Sequence, residues 1–167
     1  MKRNVFFSLF ALLVFTLAVS AQGRGDAQAT VKGKTIKINY GRPRLQGRDM
    51  LSMARVGSVW RLGMDEATEI ETTGDLTVGG KDVKAGKYSL WARKKGENQW
   101  TLAFHPTTGI WGQPEMTSGY LAEMPLTFAK APSSAEQLTI NVADRSGSAA
   151  ITIHWGTAQL IGTIGVK

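Results

Sequence analysis

From Thr35 onward apolar and polar residues alternate. Ile36, Ile38 and Tyr40 share one face and Lys37 and Asn39 the other, the period-two signature of a half-buried strand. Runs of the same kind recur at 67–72, 76–78, 88–93, 100–105, 121–128, 138–142, 150–155 and 159–166. Turn residues separate them. Val78-Gly79-Gly80-Lys81 suits a two-residue hairpin that needs positive φ, and the stretch 94–99, with Gly96 and Asn98, suits a longer one. No segment sustains an apolar i, i+3, i+4 stripe for three turns, although residues 47–54 suit a short helical turn. Many short strands at regular spacing predict an all-β fold, an antiparallel two-sheet β-sandwich, with a closed β-barrel as the alternative.

The N-terminus breaks this pattern. Lys2 and Arg3 precede an apolar run from Val5 to Val19, which ends in the small residues Ser20 and Ala21. That layout predicts a signal peptide over residues 1–21 and a periplasmic or secreted location, with no membrane anchor after cleavage. The run is shorter than the ~20 residues of a spanning helix. Residues 22–29, rich in Gly, Gln and Ala, read as a flexible leader, and residues 30–167 as a single β domain. The chain has no Cys, which excludes disulfides and lipid attachment through a lipobox cysteine. Residues 1–21 carry two basic residues and no acid, so their removal lowers the formal charge from +7 to +5. Such a balance favours anionic partners only mildly.

Charge and aromatic side chains concentrate in "YGRPRLQGRD" and "VWRLGMDEAT". Pro43 holds Arg42 extended. If that conformation continues, Arg42, Arg44 and Arg48 share one side and form a cradle of planar donors for a carboxylate, phosphate or sulfate. The plainer alternative is a solvated basic loop. Glu66 has the parity of Ile70, which predicts that it points inward, with Glu69 and Glu71 opposite. A buried carboxylate needs a cation, Arg61 first and Arg48 second. Tyr40, Arg42, Arg48, Arg61 and Glu66 are therefore expected in one polar cluster at an end of the sandwich, with Trp111 as a ligand-facing aromatic.

The remaining aromatic and titratable residues narrow the chemistry. Trp100 aligns with Leu102 and Phe104, and Trp155 with Ile151 and Ile153, so both read as core. Trp91 and Trp111 are the ones read as available for stacking. His105 has the parity of Thr101 and Ala103 and reads as exposed. Two distant histidines without H-x-H or H-E-x-x-H spacing predict no metal site, and no cofactor motif is present. Asp65 and Glu66 are adjacent, so in a strand they face opposite ways and make a poor acid/base pair. Nor is there a Gly-x-Ser-x-Gly motif or a phosphate loop. The basic residues follow no nucleic-acid-binding motif.

In the order "YGRPRLQGRDM", "VWRLGMDEAT", "LTVGGKDVKAGKYSLW" and "WTLAFHPTTGIWG", the chain resembles a bacterial secreted family, the domain of unknown function numbered 2911. Asp65 stands where that family usually has Asn, and His105-Pro106 where Asn-Lys is common. The resemblance implies a β fold and export, and no established activity. Together these features predict non-catalytic binding of a small anionic or polar ligand, or of an envelope partner. The alternatives are an enzyme using Glu66 and an arginine, or a purely structural envelope protein.

Overall fold

A computed structural model describes residues 23–111 and 116–167. The expected signal peptide lies outside the described residues. Strands β1 (Arg24–Val31), β2 (Lys34–Gly41), β4 (Thr68–Thr72), β7 (Gly86–Lys94), β8 (Gln99–His105), β9 (Ala122–Arg145), β10 (Ser148–Val166), β5 (Leu76–Val78) and β6 (Lys81–Val83) follow one another across a single antiparallel path. The two-residue β3 (Val59–Trp60) adds to β7. The helical turn is α1 (Met50–Met53), whose first turn is capped by the Asp49 carboxylate accepting from the Ser52 amide.

One hydrogen-bonded path makes two facing layers because β9 and β10 are long. At about 3.3 Å per residue, the 24 residues of β9 would stretch roughly 80 Å if straight, far beyond the width of a domain whose radius of gyration is about 15 Å. They bend instead. The β9–β10 register shifts on either side of Gly156, whose φ is 69°. Alternation predicts four strands at 121–128, 138–142, 150–155 and 159–166; the structure joins each pair into one bent strand. Ile36, Ile38, Ile70, Leu90 and Leu102 then meet Leu138, Ile140, Ile151 and Ile153 in a common core. The path ends at β1 and β6 and is not closed into a barrel.

Residues 24–29 are not the flexible leader that their composition predicts. They belong to β1, which pairs with β2 along its whole length, from Arg24 opposite Gly41 to Val31 opposite Lys34. Its small side chains hid it. Gly25 lies against Tyr40 and Arg42, and a Cβ there would stand 2.6 Å from Arg42 Cδ. Ala27 and Val31 complete a buried face. The joining turn, Lys32-Gly33, has positive φ at both residues (49° and 74°), as do Gly79-Gly80 and Ser146-Gly147 in the other two tight hairpins.

The free edge of β9 faces the end of β2 across a seam closed by side chains. Tyr40 Oη donates to the Ile140 carbonyl at 3.3 Å and Arg42 Nε to the Leu138 carbonyl at 3.4 Å. Backbone bonds continue the seam: Leu138 N to Pro43 O at 3.0 Å and Leu45 N to Glu136 O at 2.8 Å.

Candidate functional site

The seam already accounts for two of the expected site residues. Tyr40 is buried in the core and Arg42 is half-buried, each tied to a carbonyl that the β9 edge would otherwise leave unpaired. Arg44 forms an exposed pair with Glu136. The anticipated alignment of three arginines does not form, because Gln46 and Gly47 take positive φ and break the extended run.

Glu66 is exposed, contrary to its parity with Ile70. The ladder that fixes parity begins only at Thr68, and Asp65, at φ 61°, turns the chain just before it. The Glu66 carboxylate pairs with Arg24 at 3.2 Å, not with Arg61 or Arg48. Arg24 comes from the segment read as a leader, and its Nε also donates to Asn39 Oδ1 at 2.6 Å. Arg61 is half-buried, with its Nε out of solvent and without an acceptor among the described residues. Trp111 is exposed, as expected, and joins Glu66 through an isolated β-bridge.

Two further aromatic readings change. Trp91 is fully buried, its indole N–H donating to Ser89 Oγ at 3.0 Å, and His105 is buried as well. The outer face of β7 and β8 is not open to solvent there. Ala67, Trp91 and Ala103 form a small second core, covered by Val59, Ile110, Met116 and Tyr120. Periodicity within the strands could not reveal a loop folding over their polar-looking face.

The expected five-residue cluster therefore separates. Tyr40 and Arg42 stay together at the seam, Glu66 pairs with Arg24, Arg61 joins no ion pair among the described residues, and Arg48 stands elsewhere, on the rim of a cavity of about 440 Å³. This cavity lies where α1, β3, the far ends of β7 and β8, and the bend of β10 converge. Its lining includes Met50, Met53, Ala54, Trp60, Trp100 and Trp155. Trp60 and Trp155 stack on each other, ring centroids 5.6 Å apart and planes 19° from parallel. Met50 and Met53 leave much of their surface in solvent, giving the rim an apolar and adaptable edge.

Polar groups around the cavity are few and mostly donors. Arg48 is the one charged residue in its lining. The indole N–H groups of Trp100 and Trp155 are buried and find no acceptor among the described residues. Immediately behind the wall lies Lys94, only 6% exposed. Its ammonium donates to the Ala54 carbonyl at 2.8 Å and sits 5.6 Å from the centre of the Trp100 ring. Its backbone bonds with Gly57 and Ser58. The neighbouring carboxylate is Asp49, held below its ordinary value: burial pushes it up, but hydrogen bonds from Thr157 and Ser52 outweigh that. The sequence reading missed Lys94, although it has the parity of Tyr88, Leu90 and Ala92 and so had to face inward.

A second concavity, of about 180 Å³, lies among Lys37, Asn39, Glu69, Glu71 and Lys87 on the outer face. Lys87 pairs with Glu69 and Lys37 with Asp26, so most of its charge is already compensated. Among the described residues no three His, Asp or Glu side chains stand close enough to hold a metal ion. None of their helices is long and apolar enough to cross a membrane.

A family model described as a protein of unknown function, DUF2911, matches residues 23–163, and the chain belongs to that family. No curated protein and no solved structure matches.

Proposed function

We propose that this member of the DUF2911 family is a non-catalytic binding module that takes a small ligand with an apolar body and a polar or anionic group into the tryptophan-walled cavity. The observation that carries this reading is the cavity itself. Its volume of about 440 Å³ falls in the range of small-molecule sites, and its walls are aromatic and aliphatic with few polar groups, as such sites usually are. No nucleophile paired with a base, and no pair of carboxylates, lines it. The reading includes export to the periplasm or the medium, on the strength of the charged, apolar and small-residue layout of residues 1–21.

Tryptophan emission tests the reading directly, because three indoles line the cavity. Titration with non-fluorescent amphiphilic probes, 1-octanol and octanoate, is expected to shift the emission saturably and to raise the thermal midpoint. At a hundredfold excess over Kd the stabilisation amounts to about 2.7 kcal/mol. Ser58→Phe, which fills the cavity from its lining, should abolish both effects. Absence of saturable binding, or binding unchanged in Ser58→Phe, would refute the reading.

A further inference from the structure

We infer that the cavity selects an apolar-bodied anion, a monocarboxylate of about eight carbons being the simplest example, through the combined positive charge of Arg48 at its rim and Lys94 behind its wall. This rests on the cavity being a binding site and specifies what it binds.

Lys94 is the anomaly that points to an anion. Its neighbours Arg93 and Lys95 both reach Glu123, at 2.9 and 3.2 Å. Lys94 faces the other side of the sheet, and none of the ion pairs among the described residues includes it. A cation this buried with one carbonyl and one aromatic face as its surroundings is poorly compensated. The two groups that touch its ammonium, Ala54 and Trp100, and Ser58, which accepts from its backbone amide, all line the cavity. Its field therefore acts on the cavity through a single layer of protein, where screening by water is weakest.

The other polar groups act in the same direction. Arg48 belongs to no ion pair among the described residues, and the two indole N–H groups leave the wall with donors in excess of acceptors. Asp49, the carboxylate close by, is engaged: Thr157 Oγ1 donates to it at 2.6 Å and the Ser52 amide at 3.5 Å. A cationic ligand could in principle use the tryptophan faces. Here Lys94 already sits against Trp100, and Arg48 would repel a second cation at the rim. The apolar part of the ligand is specified by the Trp60–Trp155 stack and the methionines. Because the two rings stack on each other, they present one flat wall and leave no slot between them.

Three probes of equal length decide the matter: octanoate, 1-octanol and octylamine, titrated by tryptophan emission against the full chain. Octanoate should bind about tenfold or more tightly than 1-octanol, the scale of a single charge-assisted contact, and octylamine most weakly. The preference for octanoate over 1-octanol should shrink in Lys94→Met, which keeps the stem and removes the charge, and in Arg48→Gln. Arg48 is exposed, so that variant keeps the test valid if Lys94→Met fails to fold. Equal binding of octanoate and 1-octanol, or a preference that survives in Arg48→Gln and in every folded Lys94 variant, would overturn the inference and leave the cavity a neutral apolar site. If none of the three binds, the binding reading falls with it.

Discussion

Glu66 and Glu69 exchange the roles that strand alternation assigns them. Glu66 lies in an exposed pair with Arg24, with about half of its side chain in solvent. Glu69, expected to face water, has only 15% of its side chain exposed; it pairs with Lys87 and accepts from the Gly109 amide at 2.6 Å. Burial pushes the Glu69 carboxyl up, but the Lys87 and Gly109 hydrogen bonds hold it below its ordinary value. The covering loop makes the difference, since Gly109 belongs to the segment that lies over the outer face. Glu66→Ala is expected to cost about 0.2–1 kcal/mol, as exposed pairs do. Glu69→Ala should cost about 1.5–3 kcal/mol, the scale of lost hydrogen bonds to a charged group. Urea midpoints of the two variants check the order, and a larger loss for Glu66 would show that the loop does not hold Glu69.

Among the elements, alternation and turn chemistry were enough to locate the inner strands. Ile36, Ile38 and Tyr40 on β2, and Trp100, Leu102 and Phe104 on β8, are buried as their period requires. Gly79-Gly80 makes the tight turn anticipated for it. What stayed hidden depends on neighbours distant in sequence. Strand β1 is unremarkable as Arg-Gly-Asp-Ala-Gln-Ala until Tyr40 and Arg42 claim the space above Gly25. Of the expected site, Arg48 reached a cavity, whereas the cavity's tryptophans were legible only as core, because a cavity wall and a packed core carry the same apolar period. Glu123 joins three neighbouring strands by accepting from Thr101 and pairing with Arg93 and Lys95. Burial pushes its carboxyl up, but these partners hold it below the ordinary 4.5. A carboxyl with a depressed folded pKa stabilises fully above its unfolded value and loses that contribution as pH falls through the folded one. The thermal midpoint should therefore decline as pH falls below the ordinary 4.5, and decline less in Glu123→Gln. Parallel declines in the two proteins would assign acid sensitivity to other carboxyls.

At the scale of the whole molecule, a continuous sheet has been folded over until its first two strands meet the edge of its ninth. Most ladders join strands near in sequence, but the seam does not: Arg42 and Leu138 are 96 residues apart, and Tyr40 and Ile140 are 100 apart. Bringing such distant segments together costs loop entropy before any contact is gained. The seam is therefore expected to form late in folding, after the local hairpins. A contact made after the rate-limiting step slows unfolding and leaves folding untouched. Arg42→Ala should thus steepen the loss of native protein in denaturant-jump experiments, with an unchanged refolding rate; slowed refolding would place the seam in the folding nucleus. For a chain whose N-terminus has the layout of an exported protein, the arginine gathered beside Pro43 would then set how long the folded state lasts, a lifetime fixed by how rarely one seam opens.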